Sequence, residues 1–454
     1  MANPDLPGTP VSAVQALRRL AIVGVAIVLV AIVAAAFAIA FRGSLAAFSK
    51  LVGGSNVVAM IESVPLWARV LLPAVGGLGA GLVGLWINRQ RGASGVGYVM
   101  EAIVLGRVRV PLMRSALQAI ASWLAIATGN SLGREGPLIQ FGAAAGEGAR
   151  RALRLDDAQA RLVIAAGVAA GFASAYNAPI AATLFVVEVV TGVVALEATV
   201  PVLVAAVLAT VFMRLVTGPA PLYGFRGIAA PDPVELVAFA GLGLLAAPLG
   251  VGFLRLLSRA EGLWRHVPQP WRPAAGGATC GLCLCLLPAL AGNGFEEVSA
   301  LLDGKLALAA IAWLLLAKPF ATAASVSSGN PGGVFTPTLL LGACMGALYA
   351  GGLHAGFGSQ IAAPAAYVVV GLAATLSATT HAPVMAAVLG CELSGDWALA
   401  LPLLLACALA AALARRLYID SVYTAELTRR GLRWRLTLDG RRVVEDQQQV
   451  TDVV

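Results

Sequence analysis

The sequence predicts an all-α polytopic membrane protein made of two related halves, each a set of many short, tilted or broken helices. Three observations carry that reading. Of 454 residues, 59% are hydrophobic and only 12% are charged, and the mean hydropathy is +0.85. Soluble domains carry roughly 25% charged residues. No globule of this size hides so much apolar surface, so lipid must solvate part of it. The second observation is that two charge-free stretches are full of helix breakers. The third is that those stretches match each other at a nearly fixed offset. The 51 glycines and 6% aromatic residues suit helices whose backbones approach closely in a membrane. The glycines have no three-residue period and the chain is strongly apolar, which excludes collagen-like and disordered classes.

Residues 1–17 are polar and contain proline, and form an expected cytoplasmic leader. Arg18-Arg19 then precede an uncharged run from Leu20 to Phe41. That run is long enough to cross the hydrocarbon core, too long for a signal-peptide core, and has no convincing cleavage site. The basic flank places the N-terminus inside. Further spans are expected at 66–87, 110–128, 198–213, 236–254, 276–291 and 306–317. Several fall short of the roughly 20 residues that an upright crossing needs. The formal charge of +8 could suggest nucleic acid. The basic residues sit mostly at the ends of apolar runs, however, where they anchor membrane flanks, so no nucleic-acid partner is expected. Cys280, Cys283, Cys285, Cys344, Cys391 and Cys407 all lie in apolar stretches. Cys280-Gly-Leu-Cys283 has redox-motif spacing without a partner pair or a strand–helix context, and reads as small apolar filler.

Leu162–Val187 carries no charge but contains Tyr176-Asn177-Ala178-Pro179, where one helix should end and another begin. Pro319–Cys391 has no Asp, Glu, Lys or Arg, yet holds Ser327-Ser328-Gly329-Asn330-Pro331-Gly332-Gly333 together with Pro337, Pro364 and Pro383. Irregular backbone at membrane depth is tolerated only where protein buries it or where it lines a cavity. Gly129, Asn130, Gly133, Pro137, Gly142, Ala143 and Gly146 all recur 200 positions later. At an offset of 204, Gly167, Ala169 and Ala170 pair with Gly371, Ala373 and Ala374. Ala178, Pro179, Ala182 and Glu188 likewise pair with Ala382, Pro383, Ala386 and Glu392. The ordered Asn, Pro and Glu matches indicate duplication. Repeats with broken helices at matching positions point to a binding site near the midplane, at the repeat interface. The repeat alone leaves open whether the halves are parallel or inverted.

Each glycine-rich loop ends in a proline that favours a first helical position. The free N–H groups and partial positive charge of two such helix starts would converge on an anion, and glycine lets the backbone come close. A cation site would instead want intramembrane carboxylates, which the second loop lacks. The bland reading is a pair of Gly-rich connections. Glu135, in Gly133-Arg134-Glu135-Gly136-Pro137, reads either as a structural cap on a helix start or as a tethered carboxylate that takes an anion's place and leaves when protonated or displaced.

At these residues the sequence resembles the CLC chloride channel and transporter family, in its prokaryotic form without C-terminal CBS domains. Gly133-Arg134-Glu135-Gly136-Pro137 matches the family's GREGP motif and Gly333-Val334-Phe335-Thr336-Pro337 its GxFxP motif. Ala93-Ser94-Gly95-Val96-Gly97 is an imperfect GSGIP, and Ser421-Val422-Tyr423-Thr424-Ala425 sits where the family carries its anion-coordinating tyrosine. The resemblance implies inverted halves, a homodimer with one anion pathway per subunit, chloride as the transported ion, and protons as a second partner in coupled members. It implies that the Ser94 hydroxyl and the Tyr423 phenol bind the central anion with the Val334 and Phe335 N–H groups. Backbone around Gly133, Arg134, Glu135 and Gly136 would frame an outer site, with Glu135 as the gate and proton acceptor. Neutral donors of this kind hold an anion weakly enough to release it. Taken alone, Ser94 is as well explained as a helix cap and Tyr423 as an interfacial aromatic.

Three departures from the family pattern stand out. Gly97 and Tyr98 replace the usual proline and the acidic residue after it. Val189 occupies the position where proton-coupled members often carry an internal glutamate. The neighbouring Glu188 could lie on a proton path, but its repeat mate Glu392 argues for a helix-end role in both. Coupling is therefore open between proton exchange and passive conductance, with Val189 leaning towards uncoupled or atypically coupled transport. Only a short tail follows Glu426, too short for paired nucleotide-binding domains. The expected organisation is a leader at 1–17, a first half at 18–216, a second at 217–429 and a small cytoplasmic tail at 430–454. An intramembrane enzyme using Glu188, Glu392 and His381 is the rival from another class. The three histidines are scattered and no HExxH or paired-acid spacing occurs, so no catalytic role, metal or cofactor is expected. His381 replaces Asn177 in the repeat, which suits a turn or cap. The expected location is the prokaryotic inner membrane.

Overall fold

The computed structural model describes residues 13–88, 95–106, 109–192, 195–358, 361–429, 431–437 and 440–446. The first half holds α1 (Ala13–Val52), α2 (Val57–Ser63), α3 (Leu66–Asn88), α4 (Val96–Leu105), α5 (Leu112–Ala127), α6 (Glu135–Leu153), α7 (Asp157–Tyr176), α8 (Pro179–Leu184) and α9 (Leu196–Thr217). The second holds α10 (Leu236–Trp264), α11 (Arg272–Leu286), α12 (Phe295–Leu302), α13 (Leu308–Ser327), α14 (Phe335–Phe357), α15 (Pro364–Thr380), α16 (Pro383–Ser394), α17 (Ala400–Leu417) and α18 (Thr424–Arg429). An antiparallel hairpin, β1 (Leu432–Thr437) and β2 (Gly440–Asp446), follows, so the tail adds a small sheet to the expected all-helical chain. Among the described residues, 8 helical segments are long and apolar enough to cross a membrane, while α4, α5, α15 and α16 are apolar but shorter. The protein is an integral multi-pass membrane protein of short and broken helices.

The first span runs further than the uncharged Leu20–Phe41 run, because α1 continues through Arg42 to Val52. The expected break at Tyr176–Pro179 is present. Asn177 ends α7 in the left-handed region at φ 56, and Pro179 opens α8, which passes into a π-helical turn over Phe185–Thr191. The second half repeats this turn, with His381 at φ 59 after α15 and Pro383 opening α16. His381 thus takes the capping position that its repeat mate takes. The two loop prolines sit differently from the expectation. Helices α6 and α14 begin at Glu135 and Phe335, two residues before Pro137 and Pro337. Any residue of a helix's first turn lacks an intrahelical acceptor for its N–H, so proline fits there as well as at the first position.

Close helix crossings explain the glycines. A methyl group at Gly142 would strike the Gly167 carbonyl across α6 and α7, and one at Gly342 would strike the Gly371 carbonyl across α14 and α15. The duplication also extends upstream of the motif loops. Helices α3 and α11 cross so tightly that a methyl at Gly77 meets the Pro273 carbonyl and one at Gly277 meets that of Pro73. Asn130 Nδ2 donates to the Pro73 carbonyl at 3.0 Å and Asn330 Nδ2 to that of Pro273 at 2.9 Å. These buried amides find acceptors in the carbonyls of Pro73 within α3 and Pro273 in the first turn of α11, and so tie each motif loop to its neighbouring helix.

Candidate functional site

The two glycine-rich loops meet at the centre of the molecule. Gly133 N–H donates to the Gly333 carbonyl at 2.7 Å, and Gly333 N–H donates to the Gly133 carbonyl at 2.8 Å. This two-bond bridge sets the starts of α6 and α14 facing each other. Both helices place an anion-favouring end there. Glu135 fills the space between them. Its side chain, 2% exposed, accepts the Phe335 N–H at 2.8 Å through Oε1 and the Thr336 hydroxyl at 3.1 Å through Oε2. Since Thr336 donates to the carboxylate, the Tyr176 hydroxyl, 2.9 Å from Thr336 Oγ1, is the donor in that second contact. The loops carry glycine at 133 and 333 because a methyl group at either would fall on the Glu135 carboxylate.

Aromatic rings wall this centre. Phe335 packs edge-on against Phe172 at 5.4 Å and tilted against Tyr176 at 5.2 Å, and Phe185 meets Tyr423 edge-on at 5.7 Å. Tyr423 is buried just before α18, and the adjoining Val422 N–H is pinned to the Thr379 carbonyl at 2.9 Å. A cleft of about 550 Å³ is lined by Gly136, Gly333, Val334 and Tyr423 together with Gly95 and Val96 at the start of α4. A second cavity of about 110 Å³ contains Arg134, Arg42, Asn56, Asn293 and Glu296. The residues flanking Glu135 in sequence therefore line different cavities, with the buried carboxylate between them. Arg134 also lies over the Phe295 ring at 5.9 Å.

Of the sequence-selected residues, Gly133, Arg134, Glu135, Gly136, Val334, Phe335 and Tyr423 come together around this centre. Ser94 lies outside the described residues, while its neighbour Gly95 lines the cleft. Glu188 goes elsewhere. Its carboxylate accepts the Val384 and Met385 N–H groups at 3.3 and 2.7 Å, and Glu392 in return accepts those of Ile180 and Ala181 at 3.0 and 2.7 Å. Each glutamate caps the helix that opens with proline in the opposite half, which satisfies donors that the helix starts leave free. Val189 is buried and apolar. Sequence reasoning passed over Thr336 and Tyr176, although both stand inside the quoted motifs. It also passed over Gln140, whose Oε1 accepts the Gly95 N–H at 3.1 Å. Among the described residues no three His, Cys, Asp or Glu side chains gather in a way that could hold a metal ion.

The comparisons agree with this architecture. The family model described as voltage gated chloride channel matches residues 76–415. A ClcB-like chloride channel protein of Ralstonia nicotianae is 38% identical over 403 residues, covering 86% of this chain and 93% of the relative. The voltage-gated ClC-type chloride channel ClcB of Escherichia coli is 36% identical over 401 residues, covering 86% of this chain and 95% of the relative. Among solved structures, a slow cyanobacterial Cl⁻/H⁺ antiporter superposes with a TM-score of 0.82 at 23% identity, over 90% of this chain and 97% of the other. A CLC-type fluoride/proton antiporter does so with a TM-score of 0.75 at 23% identity, over 91% of this chain and 98% of the other. These two share the fold, with its two inverted halves of short and broken helices. The chain belongs to the voltage-gated chloride channel, or CLC, family.

Proposed function

We propose that the protein moves chloride across the membrane through a pathway gated by Glu135. The observation that carries this reading is the Glu135 carboxylate seated on the Phe335 N–H, between two facing helix starts and two separate cavities. A carboxylate held there occupies the place that the local field prepares for an anion. Protonation or competition from a chloride ion releases it and joins the cavities. The Ser94 hydroxyl, the Tyr423 phenol and the Val334 and Phe335 N–H groups are assigned to the central anion. Backbone at Gly133, Arg134 and Gly136 is assigned to the outer one. Donors without full charge suit conduction, because the ion must also leave.

The reading we favour for coupling is uncoupled or atypically coupled transport, because Val189 cannot carry a proton and Glu188 is engaged in capping α16. Proton–chloride exchange is the second reading, and the likeness in fold to the cyanobacterial Cl⁻/H⁺ antiporter favours it. Chloride efflux from liposomes tests the function, and proton movement measured while chloride runs down its gradient separates the two readings. Uphill proton uptake would decide for exchange; chloride efflux without it would decide for the passive pathway. We further assign the protein as a homodimer in the prokaryotic inner membrane, with residues 1–17 and 430–454 cytoplasmic and transmembrane halves at 18–216 and 217–429.

A further inference from the structure

The cleft that reaches Tyr423 and Val334 holds a second carboxylate at a helix start. A methyl group at Gly97 would come within 3.1 Å of Glu426 Oε2, and one at Gly95 within 3.3 Å of the same oxygen. Gly95 caps α4 and Gly97 lies in its first turn, so the Glu426 carboxylate rests against the end of α4 that carries free N–H groups and partial positive charge. The chain departs from the family pattern at this very point. A side chain at position 97, such as the proline of the GSGIP motif, would crowd the carboxylate, and glycine leaves room for it.

Two buried donors line the same cleft. Gln140, 2% exposed, is fixed by the Gly95 N–H on its Oε1 and lines the cleft with an Nε2 that makes no hydrogen bond within the protein. Ser122 Oγ, buried on α5, lines the same cleft without a partner. Both are donors with nothing to donate to, beside a helix start, in the cleft that ends at Tyr423. Tyr423, just before α18, and Glu426, in its first turn, both line this cleft.

We propose that Glu426 is a second tethered carboxylate of the pathway: it sits at the start of α4, and an anion entering through the cleft must displace it to approach Tyr423. The inference rests on the proposed anion pathway. Two like charges do not share one helix start, so the carboxylate and the entering ion compete. Glu261 of α10 lines the same cleft. Glu426 is half-buried in an open cleft and acts as a competitor, whereas Glu135 is fully enclosed and acts as a barrier.

The test is chloride flux through the full-length protein in liposomes, with chloride titrated separately on each side, for the wild type, Glu426→Ala and Gly97→Ala. Glu426→Ala is expected to lower the half-saturating chloride concentration roughly three- to tenfold on one side only, the size of a charge interaction at a helix start. Gly97→Ala keeps the charge and makes the carboxylate give way by a few tenths of an ångström, and is expected to lower it by less, in the same direction on the same side. Wild-type half-saturation in Glu426→Ala overturns the inference. So does a shift in Glu426→Ala with none in Gly97→Ala, which would assign the effect to the general field of the cleft. A wild type without chloride flux would overturn the proposed function and this inference together, whereas wild-type flux with an unmoved Glu426→Ala overturns this inference alone.

Discussion

The loops that open α6 and α14 share a backbone course and differ at five side chains, of which one carries the carboxylate. Gly129 and Gly329 both adopt positive φ, at 100 and 95, and Arg134 and Val334 precede the helices with nearly the same dihedrals. The next residue is Glu135 in one loop and Phe335 in the other, and the carboxylate of the first takes the N–H of the second. Glu188 and Glu392 behave otherwise. They are duplicated with their side chains, and each caps a helix of the opposite half. What is repeated in full is scaffold, and what is repeated only in backbone is the site. The physical reason is charge. A glutamate at both 135 and 335 would aim two carboxylates at one small buried space, where both cannot ionise. The duplication can therefore supply two helix starts but only one tethered anion.

The comparison is broken most severely by removing the symmetric caps. Glu188→Ala and Glu392→Ala each leave two helix-start N–H groups without their acceptor, one of each pair half-buried, and each should cost roughly 1–2 kcal/mol of stability. The two losses should be alike in thermal unfolding followed in detergent. A large loss from one and none from the other would contradict their equivalence. Next come Gly133→Ala and Gly333→Ala. A methyl at either position overlaps the same carboxylate, so both should unseat Glu135 and raise chloride flux at neutral pH by about tenfold, if the seated state loses about 1.4 kcal/mol. An increase from only one side would show that the bridge, rather than the carboxylate, was disturbed. The smallest effect is expected from Thr336→Val. It removes one hydroxyl donor from Glu135 Oε2 and keeps the Phe335 N–H. Losing about 1 kcal/mol of support should raise flux about fivefold, with Tyr176→Phe weaker still.

Much of this was legible in the sequence because duplication leaves aligned Asn, Pro and Glu residues even when apolar positions drift. The broken helices, the facing loops and the pairing of Glu188 with Glu392 all follow from an offset of 200–204. What stayed hidden depends on contacts between residues far apart in the chain. Nothing local says that the Glu135 carboxylate lands on the Phe335 N–H, or that Gln140 holds Gly95. Lys318 ends the apolar run at 306–317 and looks like a membrane-flanking charge. It is instead fully buried, and its Nζ donates to the Leu290 and Gly292 carbonyls at 2.9 and 3.0 Å. Those carbonyls belong to a short turn after α11 that has no helical partner to offer them, and composition cannot reveal such a need. The significance of Gly97 was equally hidden, since it is the absence of a side chain that admits Glu426.

The central claim is that Glu135 holds the anion's place and leaves when discharged. The most direct test is chloride efflux from liposomes as external pH is lowered, comparing the wild type with Glu135→Gln. The wild type should speed up as Glu135 takes a proton. Glu135→Gln, already uncharged, should be fast at every pH and show no such rise. A Glu135→Gln protein that still follows external pH as the wild type does would contradict the account.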